Sequence, residues 1–296
     1  MLVKDNWGEL LTPGLRTVYD LHIKSLPDYV GQIFNVQSTD METEENLGVG
    51  SLGLMQPWTG TVSYEDFNKG FKASYKQAKY SNGIQIEREL VQFDRYNEIK
   101  KRTKRLATSA HYTRQFYGAS VLNNAFSASY TGPDAVALCS ASHPYSPSDA
   151  TVQSNRGTSA LSISSVDATY VAMTSWTDDK GNKVAVNPNT LIVPPGLRKT
   201  ALEIVGSDKN PETGDNAVNV YKGEFKVITL PFLTDSNNWF MADSVLIKEF
   251  LNWYDSRKPD FDYLEDFDTE VAKYKVVGLW AYGWDYWQAL YGHEVV

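Results

Sequence analysis

Four histidines, one cysteine and a run of carboxylates are the side chains of this 296-residue chain whose types could do chemistry. His143, in ASHPY, could serve as a general base, since imidazole titrates near neutral pH. The spacing gives it no partner. His22, His111, His143 and His293 are scattered, with no HExxH or HxH arrangement to bring two imidazoles to one metal. His143 is therefore expected to be a loop histidine held by local hydrogen bonds. Cys139, in LCSAS, lacks the neighbouring signature of a cysteine nucleophile, and no second cysteine exists for a disulfide or a thiolate cluster. It reads as a small buried residue. Asp260, Asp262, Glu265, Asp266 and Asp268 suggest calcium. An EF-hand loop, however, needs glycine at its sixth position, where this chain has Glu265. They read as a solvated acidic turn. No GxSxG elbow, phosphate-binding glycine loop or dinucleotide fingerprint occurs. No catalytic residue, cofactor or metal site is expected.

A basic cluster remains: Lys100, Lys101, Arg102, Lys104 and Arg105. Contact with nucleic acid is one reading. The plainer one is a wet helix face with partners on neighbouring acidic chains. The formal charge of -8 and pI near 5.1 exclude a global basic field that would wrap DNA. Hydrophobic content of 42% suffices for a packed core, and 8 Trp with 18 Tyr also suit large protein–protein contacts. No run of about 18 apolar residues is present to span a membrane. The opening MLVKDNWGELL lacks a basic-then-apolar leader, and a single cysteine fits a reducing compartment. A soluble protein made in the cytoplasm is expected.

The elements that must position these residues come next. Residues 15–26 predict a short helix, followed by the acidic, Gly-rich arm STDMETEENLGVGSLG. Over 58–92, Asn82-Gly83 is the preferred type I′ pair and predicts a hairpin. Lys76 would then face Glu89, Tyr75 would face Leu90 and Lys79 would face Ile86. Gly83→Val is expected to break its closure, because a β-branched residue resists φ > 0. An isolated ribbon is marginal in water, so it should lie on a partner. Residues 90–126 hold no Pro and only Gly118, and read as one long helix. Its stripe Tyr96, Ile99, Thr103, Leu106, Ala110, Thr113, Tyr117 predicts packing on one side. A long loop covers 127–160. A capping box at 164–167 predicts a helix over about 165–177, and 179–182 predicts a turn. TLIV at 190–193 reads as a buried strand ending in Pro194-Pro195. PGLR occurs at 13–16 and 195–198, and each copy reads as a helix start with proline just inside it. Strands are expected at 218–221, 225–230 and 238–241. The stretch 245–254 is ambiguous between strand and helix, and VAKYKVVGLWAYGWDYW reads as a long strand.

Three stretches carry a resemblance: KASYKQAKYSNGIQIERELVQFDRYNEI, LCSASHPY with its Ser/Asn-rich loop, and NTLIVPPGLRKTALEIVGS. With WFMADS at 239–244, this order resembles the major capsid proteins of tailed phages, most closely Mu-like prophage major head subunits. The resemblance implies an α+β fold, the tailed-phage major capsid fold of the Hong Kong phage type. An N-terminal arm would occupy 1–57 and an extended loop 58–91, with Lys76, Asn82, Gly83 and Glu89 as its assembly residues. A peripheral domain would cover 92–185 with its spine helix at 92–126, an axial domain 186–254, and a return to the peripheral domain 255–296. It further implies a structural role, without enzyme activity: hexamers and pentamers tiling an icosahedral shell around double-stranded DNA. The virion would be the final location, after assembly in the host cytoplasm. Lys100 to Arg105 would be an inner-face or inter-subunit cluster. With the arm beginning at once, the resemblance implies a separate scaffold protein if one is used, and a separate portal protein is expected as a further partner. Some relatives join subunits through Lys–Asn bonds. Lys69, Lys72, Lys76 and Lys79 sit on the right loop, but no paired Asn and activating Glu can be identified. An encapsulin-like compartment and an aromatic-rich glycan-binding or hydrolytic enzyme are the rival readings.

Overall fold

Leu15 and Tyr19, one turn apart, bury themselves in the first helix, α1 (Trp7–Lys24). The computed structural model describes residues 7–62, 64–93, 95–210, 217–266 and 270–295. Pro13 lies inside α1, not at its start. The helix runs through it because hydroxyls and packing take over: Thr12 Oγ1 donates to the Gly8 carbonyl and Thr17 Oγ1 to that of Pro13, both at 2.9 Å. Burial of Leu15 and Tyr19 against neighbouring elements supplies the remainder. The second PGLR meets its expectation, since Pro195 opens a 3-10 turn that leads into a helix.

After α2 (Val30–Ile33) come β1 (Asn35–Ser38), β2 (Thr43–Val49), β3 (Lys69–Lys76) and β4 (Ala78–Glu87). No hairpin turns at Asn82-Gly83. The two residues lie within β4, opposite Val276 and Lys275, and Gly83 is not among the positive-φ glycines. An Asn-Gly pair makes a turn when its two arms pair best with each other, and here each has a better partner. β3 pairs with β2, while β4 lays Ile84 and the fully buried Ile86 on the core beside Ile99 and Leu15. A turn at 82–83 would have stranded Ile86 on a two-stranded ribbon in water.

The single helix read over 90–126 is two. α3 (Arg88–Gln92) closes with the Phe93 and Arg95 amides bonded to the carbonyls of Glu89 and Leu90. The long helix α4 (Tyr96–Asn123) then begins, roughly 42 Å long at 1.5 Å per residue. Its first half buries the expected stripe of Ile99, Thr103, Leu106 and Ala110. Gly118, Ala119, Val121 and Leu122 in the second half are buried on more than one side.

Within 127–160 a small hairpin occurs, β5 (His143–Ser146) with β6 (Asp149–Gln153), followed by β7 (Arg156–Gly157). Helix α5 (Ile163–Thr174) starts earlier than its expected cap. Ser162 is the N-cap and Ser165 closes the box, because the apolar Ile163 is drawn into the core. Asp167, the residue expected at N3, instead accepts the Tyr221 hydroxyl. The turn at 179–182 is present, with Gly181 at φ +79°. Then follow β8 (Thr190–Val193), α6 (Arg198–Gly206), β9 (Lys226–Thr229), β10 (Trp239–Ala242), α7 (Leu246–Phe250), β11 (Leu251–Asp266), β12 (Val271–Trp284) and β13 (Leu290–His293). The ambiguous stretch 245–254 thus divides into a helical turn and the start of a strand. At 218–221 no strand forms beyond an isolated bridge from Lys209 to Val218.

Two sheets organise the chain. The first has the order β1-β11-β12-β4, and the second β7-β13-β10-β8-β9. The acidic run is strand, not turn: Asp260, Asp262, Glu265 and Asp266 lie in β11 and face β12 in register, while Asp268 falls outside the described residues. Alternation explains this. Phe261 turns into the core, whereas Asp262 and Asp266 pair with Lys275 at 3.3 Å and Lys273 at 2.7 Å across the strands. The second sheet draws in residues 156–157 and 290–293, so it reaches beyond the 186–254 boundary expected for one domain. Trp253, Trp280, Phe34, Ile192 and Phe240 share one core cluster that joins the two sheets.

Candidate assembly surfaces

The ribbon of this molecule is β2 with β3, joined by residues 50–68. Its inward face combines a small apolar cluster, Ala73 and Tyr75 against Tyr254 and Ala281, with a set of polar contacts. From β2, Asn46 Nδ2 donates to Asp285 Oδ2 at 2.9 Å and to the Tyr254 hydroxyl at 2.8 Å. From β3, the Tyr75 hydroxyl donates to Asp285 Oδ1, and Asn252 Nδ2 completes the set at 2.8 Å. Burial, together with the Asp285 charge, pushes the Tyr75 phenol far up, so it stays a donor. Further along, Asp179 takes the Ser51 amide at 2.8 Å and Asn68 Nδ2 at 3.0 Å. Partial burial works against its charge, but those hydrogen bonds from Asn68 and Ser51 hold its carboxyl below the usual range. Gly48 and Gly70 let the backbones close here. A Cβ on Gly48 would sit 2.4 Å from the Tyr286 hydroxyl, and one on Gly70 2.4 Å from the Gly48 carbonyl carbon. Two carboxylates therefore moor the ribbon's root to the body of its own subunit.

Among the described residues its outward side has no such mooring. Leu47 and Val49 project from β2, and the connecting segment exposes Leu54, Met55, Trp58, Tyr64 and Phe67. Trp58 is 72% and Met55 99% exposed. Large side chains in this concentration, on a segment without regular structure, make an exposed apolar patch that is a candidate contact surface.

The residues expected to assemble the ribbon are dispersed. Lys76 is exposed at the end of β3, opposite Thr43. Glu89 is exposed in α3, and no ion pair joins it to Lys76 among the described residues. Asn82 bonds to Ser109 Oγ at 2.8 Å, tying β4 to α4, and Gly83 follows it in the strand. The residues that sequence reasoning missed are Asn46, Tyr75, Asp179 and Asp285. They sit in four separate stretches, and TEENLGV hides its strand because its inward positions are Glu44, Asn46 and Gly48 rather than apolar. Lys100, Lys101, Lys104 and Arg105 are exposed on α4 without an ion pair among the described residues. Arg102 differs, reaching Glu98 at 3.2 Å. Among the described residues no three His, Cys, Asp or Glu side chains form a metal-binding group, and no helix is long and apolar enough to cross a membrane.

A family model described as phage capsid protein matches residues 72–292. The chain belongs to the phage capsid protein family. Solved capsids share the fold of this family member. The mature capsid of bacteriophage PhiM1 superposes with a TM-score of 0.59 at 11% identity, over 92% of this chain and 88% of that one. The capsid of bacteriophage JBD30 does so with 0.57 at 14% identity, over 71% and 92%. A virus-like particle from Pyrococcus furiosus gives 0.56 at 10% identity, over 95% and 98%. No curated protein matches the sequence. In this phage capsid protein the mixed helix-and-sheet fold expected from the resemblance is present. The two-stranded ribbon of this chain, β2 with β3, lies within residues 43–76.

Proposed function

We propose that this phage capsid protein is the major head subunit of a tailed phage or prophage, of the Mu-like kind that its motifs resemble. It assembles as hexamers and pentamers into an icosahedral shell around double-stranded DNA. The family match over 72–292 carries this reading. The ribbon supports it physically: moored at its root and apolar at its tip, it is built to lie on a neighbouring copy. Many such contacts, each weak alone, are multiplied by the symmetry of a shell. The four-stranded sheet with α4 corresponds to the peripheral domain and the five-stranded sheet to the axial domain. Lys76, Asn82, Gly83 and Glu89 are then body and root positions, not the tip of the loop. Lys100, Lys101, Lys104 and Arg105 offer an unpaired basic strip to DNA or to an acidic neighbour. Scaffold and portal are separate proteins, assembly takes place in the host cytoplasm, and no step requires catalysis.

Negative-stain electron microscopy of the recombinant protein after size-exclusion chromatography tests this directly. Shells, tubes or rings of five or six subunits are the expected result. If the protein is monomeric alone, the experiment is repeated with the neighbouring phage genes expressed beside it. A monomer under those conditions would sink the reading.

A further inference from the structure

His143 lies beside Trp287, where the surrounding hydrogen bonds determine the charge of a buried ring. The His143 side chain is fully buried. Its Nδ1 lies 2.5 Å from Asp134 Oδ2, and that carboxylate is only 6% exposed. Its Nε2 lies 3.0 Å from Asn155 Oδ1. The Asn155 amide cannot be turned round without loss. Its Nδ2 donates to the Leu138 and Leu290 carbonyls at 2.8 and 3.1 Å, and its Oδ1 already accepts the Ser140 amide at 2.8 Å. Both ring nitrogens therefore face acceptors, and a ring that donates from both is an imidazolium.

Three further features favour that charge. The ring stacks on Trp287, with centroids 4.6 Å apart and planes 14° from parallel, which puts a cation on an indole face. Asp134 lines a cavity of about 320 Å³ with Asp178, Asp179, Glu249 and Asp285, and Lys69 is its only cation among the described lining residues. Asp134 is also held in place by a tight loop, 131–137, in which Ala135 adopts φ +64°. The other titratable groups on the packed elements do not supply a competing partner. Burial pushes the Cys139 thiol up, Arg156 pairs with Glu294, and the Tyr145 hydroxyl bonds to Thr177 Oγ1 at 2.7 Å.

His293 shows the opposite arrangement. It too stacks on a tryptophan, Trp239, at 4.2 Å. Its Nδ1, however, accepts the Ser159 amide at 3.2 Å, and Nε2 meets Thr169 Oγ1 at 2.8 Å. One donor and one acceptor make a neutral ring, and burial pulls its pKa down to about 4.

We propose that His143 is a proton lock: an imidazolium, stacked on Trp287, whose two ring protons tie the 131–137 loop at Asp134 to Asn155 and so hold segment 131–157 closed beside the root of the ribbon. Loss of one ring proton to a base in solvent leaves a nitrogen lone pair facing an oxygen, with no hydrogen between them. The fastening then loosens, and the loop it holds opens more often.

Hydrogen exchange by mass spectrometry on the full chain, free or assembled, tests the lock. After correction for the intrinsic pH dependence of exchange, segment 131–157 should exchange about tenfold faster at about pH 9 than at about pH 6. Asp134→Asn should abolish that dependence, because its amide can donate to a neutral ring. Flat protection in the wild type, or an equal pH dependence in Asp134→Asn, overturns the proposal. Should that variant not fold, magic-angle-spinning NMR of histidine-labelled wild type decides. One ring with both nitrogens protonated, absent from His143→Gln, is expected; finding the His143 ring singly protonated refutes it.

Discussion

The five-stranded sheet and the ribbon are both made of short strands, but they bury themselves in opposite ways. Every residue of β8 and β10 is buried, so that sheet carries its stability on both faces. β2 alternates exposed and half-buried positions along its length, and the face it does cover is fixed by carboxylates and glycines. The first region is complete within one chain. The second has a root tied to the body of the chain and a tip that leaves its large apolar side chains exposed. If this contrast is real, changes in the sheet should act on folding and changes in the ribbon tip on assembly.

The largest effect belongs to Trp239→Ala. Trp239 is fully buried, stacks on His293 and donates from its indole N–H to the Ser159 carbonyl at 3.0 Å. Removing it should cost about 3–5 kcal/mol in urea denaturation of the unassembled chain. A loss below about 1 kcal/mol would mean that the sheet is not the rigid partner in the comparison.

Acidity should weaken the same region next. The folded His293 has a pKa of about 4 against an ordinary 6.5, so in that interval the unfolded chain binds a proton that the folded chain refuses. Stability is fully kept above about pH 6.5, falls as the pH drops towards 4, and levels off below it. The total is at most about 3–4 kcal/mol, at 1.36 kcal/mol per pKa unit over the interval from about 4 to 6.5. Denaturation midpoints measured across that window should fall less steeply in His293→Gln. Equal slopes in both proteins would remove His293 as the cause.

Gly83 brings the comparison to the place where sequence reasoning and structure part. Asn82-Gly83 is a strong turn signal, and nothing local overrides it. What overrides it is Ile86, four residues past Asn82, which packs with Leu15, Ile99 and Tyr274 from distant parts of the chain. The strand β2 was equally hidden, because its inward Asn46 finds its reason in Asp285, 239 residues away. By contrast, TLIVPPGLR was legible. Four buried residues, three of them apolar, a proline stop and a proline helix start are each decided within a few residues. The same holds for VAKYKVVGLWAYGW, whose length and composition alone specify a strand. Local decisions can be read from sequence, and the mooring of the ribbon is not local. Gly83→Ala therefore leaves the ribbon intact. The new Cβ would lie 3.0 Å from the Tyr274 carbonyl oxygen, a close approach within β4 and β12. A stability change of about 1 kcal/mol or less is expected by thermal denaturation, with particle yield preserved. Collapse of particle yield at unchanged stability would restore a ribbon turn at this position.

The smallest effect on folding, and the sharpest test of the contrast, is Trp58→Ser. Trp58 is 72% exposed in a segment that makes no strand or helix, so the chain gains little from it when folded alone. Denaturation of the unassembled protein should shift by no more than about 0.5 kcal/mol. In a shell the same side chain would be buried against a neighbour. An aromatic side chain there is worth about 2 kcal/mol or more per contact, and symmetry repeats the loss at every subunit. Particle yield by size-exclusion chromatography should therefore fall sharply while the melting curve stays where it was. A loss of folding stability with assembly intact would invert the comparison. It would make the tip part of its own subunit's core and leave the moored root without a purpose.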